Sequence, residues 1–150
     1  MFDYAVSGNF FVAGYAVSGS GRATCGKRLG PLQPGELVMG EMNLTDPASN
    51  TWLVSSTRLK TGETSTQSSV LKDIVLNSAY LTVEAMIIYS CAAYPSSGSV
   101  TFSANALTDR TGSSLSPTWR PMIRHSECQQ TVTTGTDVVI SWNPNNKSDF

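Results

Sequence analysis

One carboxylate stands where chemistry could be done. Glu84 lies in the most apolar stretch of the chain, between Val83 and Ala85. Successive strand residues face opposite ways, so Tyr80, Thr82, Glu84 and Met86 share one face. Leu81, Val83, Ala85 and Ile87 share the other, and this aliphatic set is the core face. Glu84 is then left beside an aromatic ring and a hydroxyl, where a carboxylate can act as a general base. A solvated glutamate on an outer sheet face fits the same pattern. His125 is the sole histidine, which excludes multi-histidine metal sites. It is also the one candidate base for a Ser-His or Cys-His pair.

Other groups of residues carry weaker signals. Arg120, Arg124 and His125, with Trp119, make a small basic-aromatic cluster that could hold an anion, or a solvated strand end. Asp46, Asp109 and Asp137 lie in or beside loops and could help bind a sugar or Ca²⁺, although no D-x-D-x-D-G loop is present. Trp52, Trp119 and Trp142 could stack on carbohydrate, with burial in a sandwich core as the default. Cys25, Cys91 and Cys128 contain no C-x-x-C pair, and their odd number allows at most one intrachain disulfide. Three buried free thiols are the expected state, because Cys packs as a small hydrophobe. No cofactor and no metal are expected.

These residues need elements to position them, and period-two alternation dominates the chain. Strands are expected over 9–17, 36–44, 51–59, 64–71, 79–89, 100–107, 119–123 and 138–142. The strands at 36–44 and 51–59 form a hairpin around the turn Asp46-Pro-Ala-Ser-Asn50. Arg22 to Gly35 and Asp109 to Pro117 are expected as loops. The echo Tyr4-Ala-Val-Ser-Gly8 and Tyr15-Ala-Val-Ser-Gly19 reads as a strand pair with similar edges. The only helix candidate is short, near 68–75. Seven to nine strands at spacings near ten residues predict an all-β, antiparallel β-sandwich, concanavalin-like or jelly-roll-like, in one domain over 1–150.

Composition agrees. The chain has 150 residues with only 14% charged, against about 25% in an average protein. Ser and Thr number 21 and 16. Hydroxyls rather than Lys and Glu must therefore clothe the sheet faces, which leaves few charges to keep edges apart. Net charge is −1, so no nucleic-acid binding is expected. The charge-free stretches 4–21 and 85–108 are broken by Ser, Gly or Pro, so no membrane span is expected. Met1-Phe-Asp-Tyr4 lacks the basic and apolar regions of a secretory signal, and none is expected. Localisation stays open, with extracellular or virion both compatible.

Four stretches resemble the C-terminal two-thirds of the eqolisin (glutamic peptidase) family, in order and at similar spacing. They are Leu32-Gln-Pro-Gly-Glu36, Trp52-Leu-Val-Ser-Ser-Thr-Arg-Leu-Lys-Thr-Gly-Glu63, Ser78-Ala-Tyr-Leu-Thr-Val-Glu-Ala85 and Gly98-Ser-Val-Thr-Phe-Ser-Ala-Asn-Ala106. The resemblance implies a sandwich of two curved antiparallel sheets. It places Glu84 where the family keeps its catalytic glutamate, which activates a water while a Gln amide stabilises the oxyanion. That chemistry suits acid pH and needs neither metal nor histidine. The family's Gln region, with its Trp-x-Gly-Ile motif, has no counterpart here. Gln33 sits in a loop and does not take the role.

A carboxylate without its amide partner loses about 10²–10³ in rate. The expected function is therefore a non-catalytic, eqolisin-like subunit of a self-associating assembly such as a capsid, tube or filament. The alternatives are an acid-acting glutamic endopeptidase, or a fragment of one, with Glu84 as general base, and a carbohydrate-binding module. Partners would be further copies of the chain, a peptide substrate or a glycan.

Overall fold

The computed structural model describes residues 2–4, 10–12, 15–17, 23–33, 35–83 and 89–148. Thirteen short strands run through them, with two one-turn 3₁₀ segments, Cys91–Ala93 and Ser126–Cys128, and no α-helix. No described helix is long and apolar enough to cross a membrane. Every strand pair is antiparallel. The expected all-β, antiparallel class is the observed one. The strands outnumber the expected seven to nine because several are cut short. The chain divides into two compact units, Met1–Asn77 and Ser78–Phe150.

The first unit holds β1 (Phe2–Tyr4), β2 (Phe10–Val12), β3 (Tyr15–Val17), β4 (Ala23–Cys25), β5 (Leu29–Leu32), β6 (Val38–Asp46), β7 (Thr51–Arg58) and β8 (Thr64–Val70). Its sheets run β1-β2-β5, β3-β4 and β6-β7-β8. The long hairpin forms as expected, because alternation on both strands meets a turn built to close it. Asp46 accepts hydrogen bonds from the Ala48 N–H at 2.9 Å and the Ser49 hydroxyl at 2.6 Å. Asn50 completes the turn in the left-handed region at φ 54°, which Asn tolerates better than most residues.

Four expectations fail in this unit. The 22–35 loop holds β4 and β5; Pro31 fits β5 because that strand lies at a sheet edge. The helix near 68–75 is absent, since Ser68–Val70 complete the β8 ladder on β7. Of the strand expected at 9–17, β2 and β3 join different sheets, and residues 9, 13 and 14 lie outside the described residues. The Tyr4 and Tyr15 echoes do not pair among the described residues: β1 joins β2, and β3 joins β4.

The hydroxyl-rich composition has a use here beyond clothing surfaces. Ser55, Ser56 and Ser65 are buried, and Ser56 lies directly opposite Ser65. Their small size lets the chain at Gly26 close onto β8. A Cβ at Gly26 would sit 2.5 Å from the Thr66 carbonyl oxygen and 2.7 Å from the Ser65 hydroxyl. Only glycine fits such an approach. Leu29 and Leu71 are the buried aliphatic side chains of this unit among those described.

The second unit holds β9 (Ser99–Phe102), β10 (Leu107–Thr108), β11 (Ser114–Leu115), β12 (Thr131–Thr134) and β13 (Val138–Ser141). They form the sheet β12-β13-β9 and the small hairpin β10-β11. The strand expected at 100–107 stops at Phe102. Ala104 turns to φ 53°, and the Asn105 amide caps the Phe102 carbonyl at 2.8 Å. The stretches expected as strands at 79–83 and 119–123 pair with nothing in a ladder. Their β-branched and aromatic content marked neither pairing nor burial: Tyr80, Met122 and Ile123 are exposed, and only Leu81, Val83 and Trp119 are half-buried. The core is Cys91, Tyr94, Cys128 and Trp142, with Val83, Val100 and Ile140 packed on it. Cys91 and Cys128 form a disulfide, so the expectation of three buried thiols is wrong for two of them. The third, Cys25, is free and exposed rather than buried.

Candidate functional site

Glu84 lies outside the described residues, as do its neighbours through Ile88. The segment leading to it keeps the expected phase without a ladder. Leu81 and Val83 are half-buried, while Thr82 is exposed and Tyr80 is 80% exposed. Val83 packs on the disulfide core, as an aliphatic core-facing residue should. The aromatic-hydroxyl face therefore turns outward just before the glutamate.

Several of the other residues singled out have structural tasks. His125 turns the edge of its ring to Tyr94, with centroids 6.3 Å apart. Arg120 and Arg124 are exposed, and Trp119 is half-buried. Trp142 is buried and donates its indole N–H to the Pro95 carbonyl at 2.8 Å. Trp52 donates to the Asn50 amide oxygen at 3.0 Å. The Trp142 ring is buried and closed to stacking, while Trp52 and Trp119 are half-buried. Asp109 caps its own loop, accepting from the Thr111 hydroxyl at 2.6 Å and from the Thr111 and Ser113 N–H groups. Asp137 is exposed in the β12–β13 turn. Among the described residues no three His, Cys, Asp or Glu side chains converge as a metal site requires.

The glutamines bear on the oxyanion partner. Gln130 bridges the core: its oxygen accepts from the His125 N–H at 3.0 Å and its amide donates to the Tyr94 hydroxyl at 2.8 Å. Gln129 accepts from Asn143, and Gln67 donates to the Ser68 carbonyl. Gln33 is exposed in the turn before Glu36. Three of the chain's four glutamines are thereby engaged in local structure.

Two arrangements escaped sequence reasoning. The first is the disulfide core, which cysteine parity hides. The second is an ion-pair clamp in the first unit. Arg58 Nε and Nη2 donate to Glu36 at 2.6 and 3.0 Å, and Nη1 donates to Glu63 at 3.0 Å. The Glu36 side chain is 2% exposed and also accepts from the Gln33 N–H. The Arg58 hydrogen bond, and then that N–H, hold the Glu36 carboxyl below the usual carboxylate range. Asp46 is lowered by the Ser49 hydroxyl and the Ala48 N–H, and Asp109 chiefly by the Thr111 hydroxyl. Glu36 and Glu63 belong to two quoted motifs and Arg58 to the second. Nothing in their spacing signals that they converge.

No family model matches the chain, and no curated protein does. The crystal structure of aspergilloglutamic peptidase from Aspergillus niger matches it with a TM-score of 0.63. The two chains share a fold. The match covers 94% of this chain and 85% of the peptidase chain at 16% identity. The likeness therefore extends beyond the C-terminal two-thirds that the sequence motifs cover. At that identity it speaks for the fold alone.

Proposed function

We propose that the chain is an acid-acting hydrolase of polypeptides with Glu84 as its general base. The observation that carries this reading is the fold likeness to a glutamic peptidase over most of both chains. It rests on analogy of fold, joined to the motif around Glu84. In the proposed step the Glu84 carboxylate takes a proton from water as the water oxygen attacks the peptide carbonyl carbon. The proton then passes to the leaving amine as the C–N bond breaks.

The carboxylates that shape the fold support work in acid. Glu36, Asp46 and Asp109 are all held below their ordinary range, so their bonds persist as pH falls. The Cys91–Cys128 disulfide supports placement in an oxidising compartment, outside the reducing cytosol. Three of the four glutamines are engaged locally and Gln33 lies in a loop, so no glutamine is assigned as oxyanion donor and turnover is expected about 10²–10³ below that of a paired site.

Incubation with a denatured protein substrate between pH 3 and 5, read as new N-termini, tests the reading. Cleavage by the parent chain and its loss in Glu84→Gln are expected. No cleavage by the parent removes the hydrolase, and cleavage undiminished in Glu84→Gln removes the residue from the mechanism.

A second reading is a non-catalytic subunit that packs against its own copies. It is favoured by the charge-poor composition and by a sheet edge in the first unit, that of β6, which has no partner strand on that side among the described residues.

A further inference from the structure

We propose that the free edge of β6 pairs with β6 of a second copy, antiparallel, about a two-fold axis at Met42. This deepens the self-association reading and stands whether or not Glu84 is catalytic. Among the described residues β6 is an edge strand in the order β6-β7-β8. It is nine residues long and the longest strand described. Seven of its nine residues are exposed. An edge of this length offers a row of N–H and C=O groups to any second strand. Natural edges are usually blunted by Lys, by Pro or by brevity. The strand Val-Met-Gly-Glu-Met-Asn-Leu-Thr-Asp has no Lys and no Pro, and its one irregularity, a register shift on β7 between Leu44 and Asp46, is confined to its end. It presents apolar side chains instead: Met39 is 42% exposed and Met42 is 47%, with Leu37 beside them at 68%.

The choice of a second copy comes from self-complementarity. A two-fold contact sets each residue against its mirror position on the same strand. Directly opposed residues share a face, so the axis must pass through a residue position. Met42 is the midpoint of Val38–Asp46, and an axis there pairs Gly40 to Leu44, the stretch before the register shift between Leu44 and Asp46. Met42 then meets the partner's Met42, and Glu41 meets the partner's Asn43, a carboxylate against an amide donor. Gly40 meets the partner's Leu44, the smallest side chain against a large one. An axis at Glu41 would set two carboxylates face to face, which is repulsive. An axis at Asn43 would carry the ladder onto the partner's Pro47, which has no N–H to give.

Sedimentation equilibrium of the intact chain over a wide concentration range tests this. A reversible dimer is expected, with Met42→Lys raising its dissociation constant at least 10-fold by placing two ammonium groups at the axis. Circular dichroism should show the variant folded, since Met42 is half exposed in the monomer. Mixing Met42→Lys with Met42→Glu should restore a one-to-one dimer that neither forms alone. A monomer at every concentration overturns the inference and the self-association reading together. A dimer indifferent to Met42→Lys, with no rescue in the mixture, overturns the β6 interface alone. A monomer that instead protects its β6 amides on adding an extended synthetic peptide overturns the second copy as the occupant.

Discussion

The two units solve the same problem with different materials. The second unit gathers aromatic rings and a fully buried disulfide, Cys91–Cys128, into one cluster with Tyr94 and Trp142. Among its described residues the first unit buries two leucines and three serines, and it holds its long hairpin by ladders, a capped turn and the Arg58 clamp. One composition thus supports two strategies. Where strands are short, a covalent link replaces ladder length. Where strands are long, small hydroxyl residues let layers approach closely and polar side chains fix the turns.

Breaking the disulfide should separate the two strategies most sharply. Loop closure over a separation of 37 residues is worth about 4 kcal/mol. Cys91→Ala with Cys128→Ala should therefore lower the stability of the second unit strongly while leaving amide protection in β6, β7 and β8 largely intact. Native-state hydrogen exchange reads both at once. Equal loss in the two units would show that their stabilities are not separable.

The counterpart in the first unit is Gly26→Ala. The added methyl would meet the Thr66 carbonyl at 2.5 Å, and overpacking of this kind costs about 1–3 kcal/mol. A urea midpoint equal to that of the parent would mean that the segment is free to move off β8. Tyr94→Phe should cost about 1 kcal/mol by taking away the acceptor of the Gln130 amide. Thermal unfolding followed by tryptophan fluorescence in a Trp52→Phe, Trp119→Phe background, which leaves Trp142 as reporter, measures it, and an unchanged midpoint would demote the bridge to a bystander.

The smallest effect should come from Glu36→Gln, which keeps the shape and one acceptor. Its signature is a pH dependence. Because the folded pKa of Glu36 is lowered, its contribution is present above the ordinary carboxylate range and disappears as pH falls through the folded value. Urea midpoints measured from pH 6 down to pH 2 should therefore fall less steeply for Glu36→Gln than for the parent. Parallel curves would remove the clamp from acid stability.

Much of the first unit was legible in the sequence. Alternation in 36–44 and 51–59 met an Asp-Pro-Ala-Ser-Asn turn, so pattern and turn chemistry agreed, and the paired strands run over Val38–Asp46 and Thr51–Arg58. Legibility failed where one signal stood alone. Residues 79–83 and 119–123 are apolar and β-prone, yet a strand needs a partner, and no local pattern supplies one. Proline and glycine at 30–35 suggested a loop and hid β5, because an edge strand tolerates both. The disulfide was hidden by an odd count, since parity does not say which thiol is left over. At the candidate site the inward face was readable from Val83 and the outward face from Tyr80. The glutamine partner was not, because an amide's role depends on what its neighbours have already claimed.

Asn50 carries a consequence for engineering. Its amide donates to the Leu71 and Ile74 carbonyls, its oxygen accepts from Trp52, and its own carbonyl accepts the Leu71 N–H. The tip of the longest hairpin is therefore welded to the chain leaving β8. A fusion tag, a protease site or new chain ends inserted at 47–50 would sever four bonds at once. The turn at Lys60–Gly62, which is exposed and tied only to its own hairpin, is the place to open this unit.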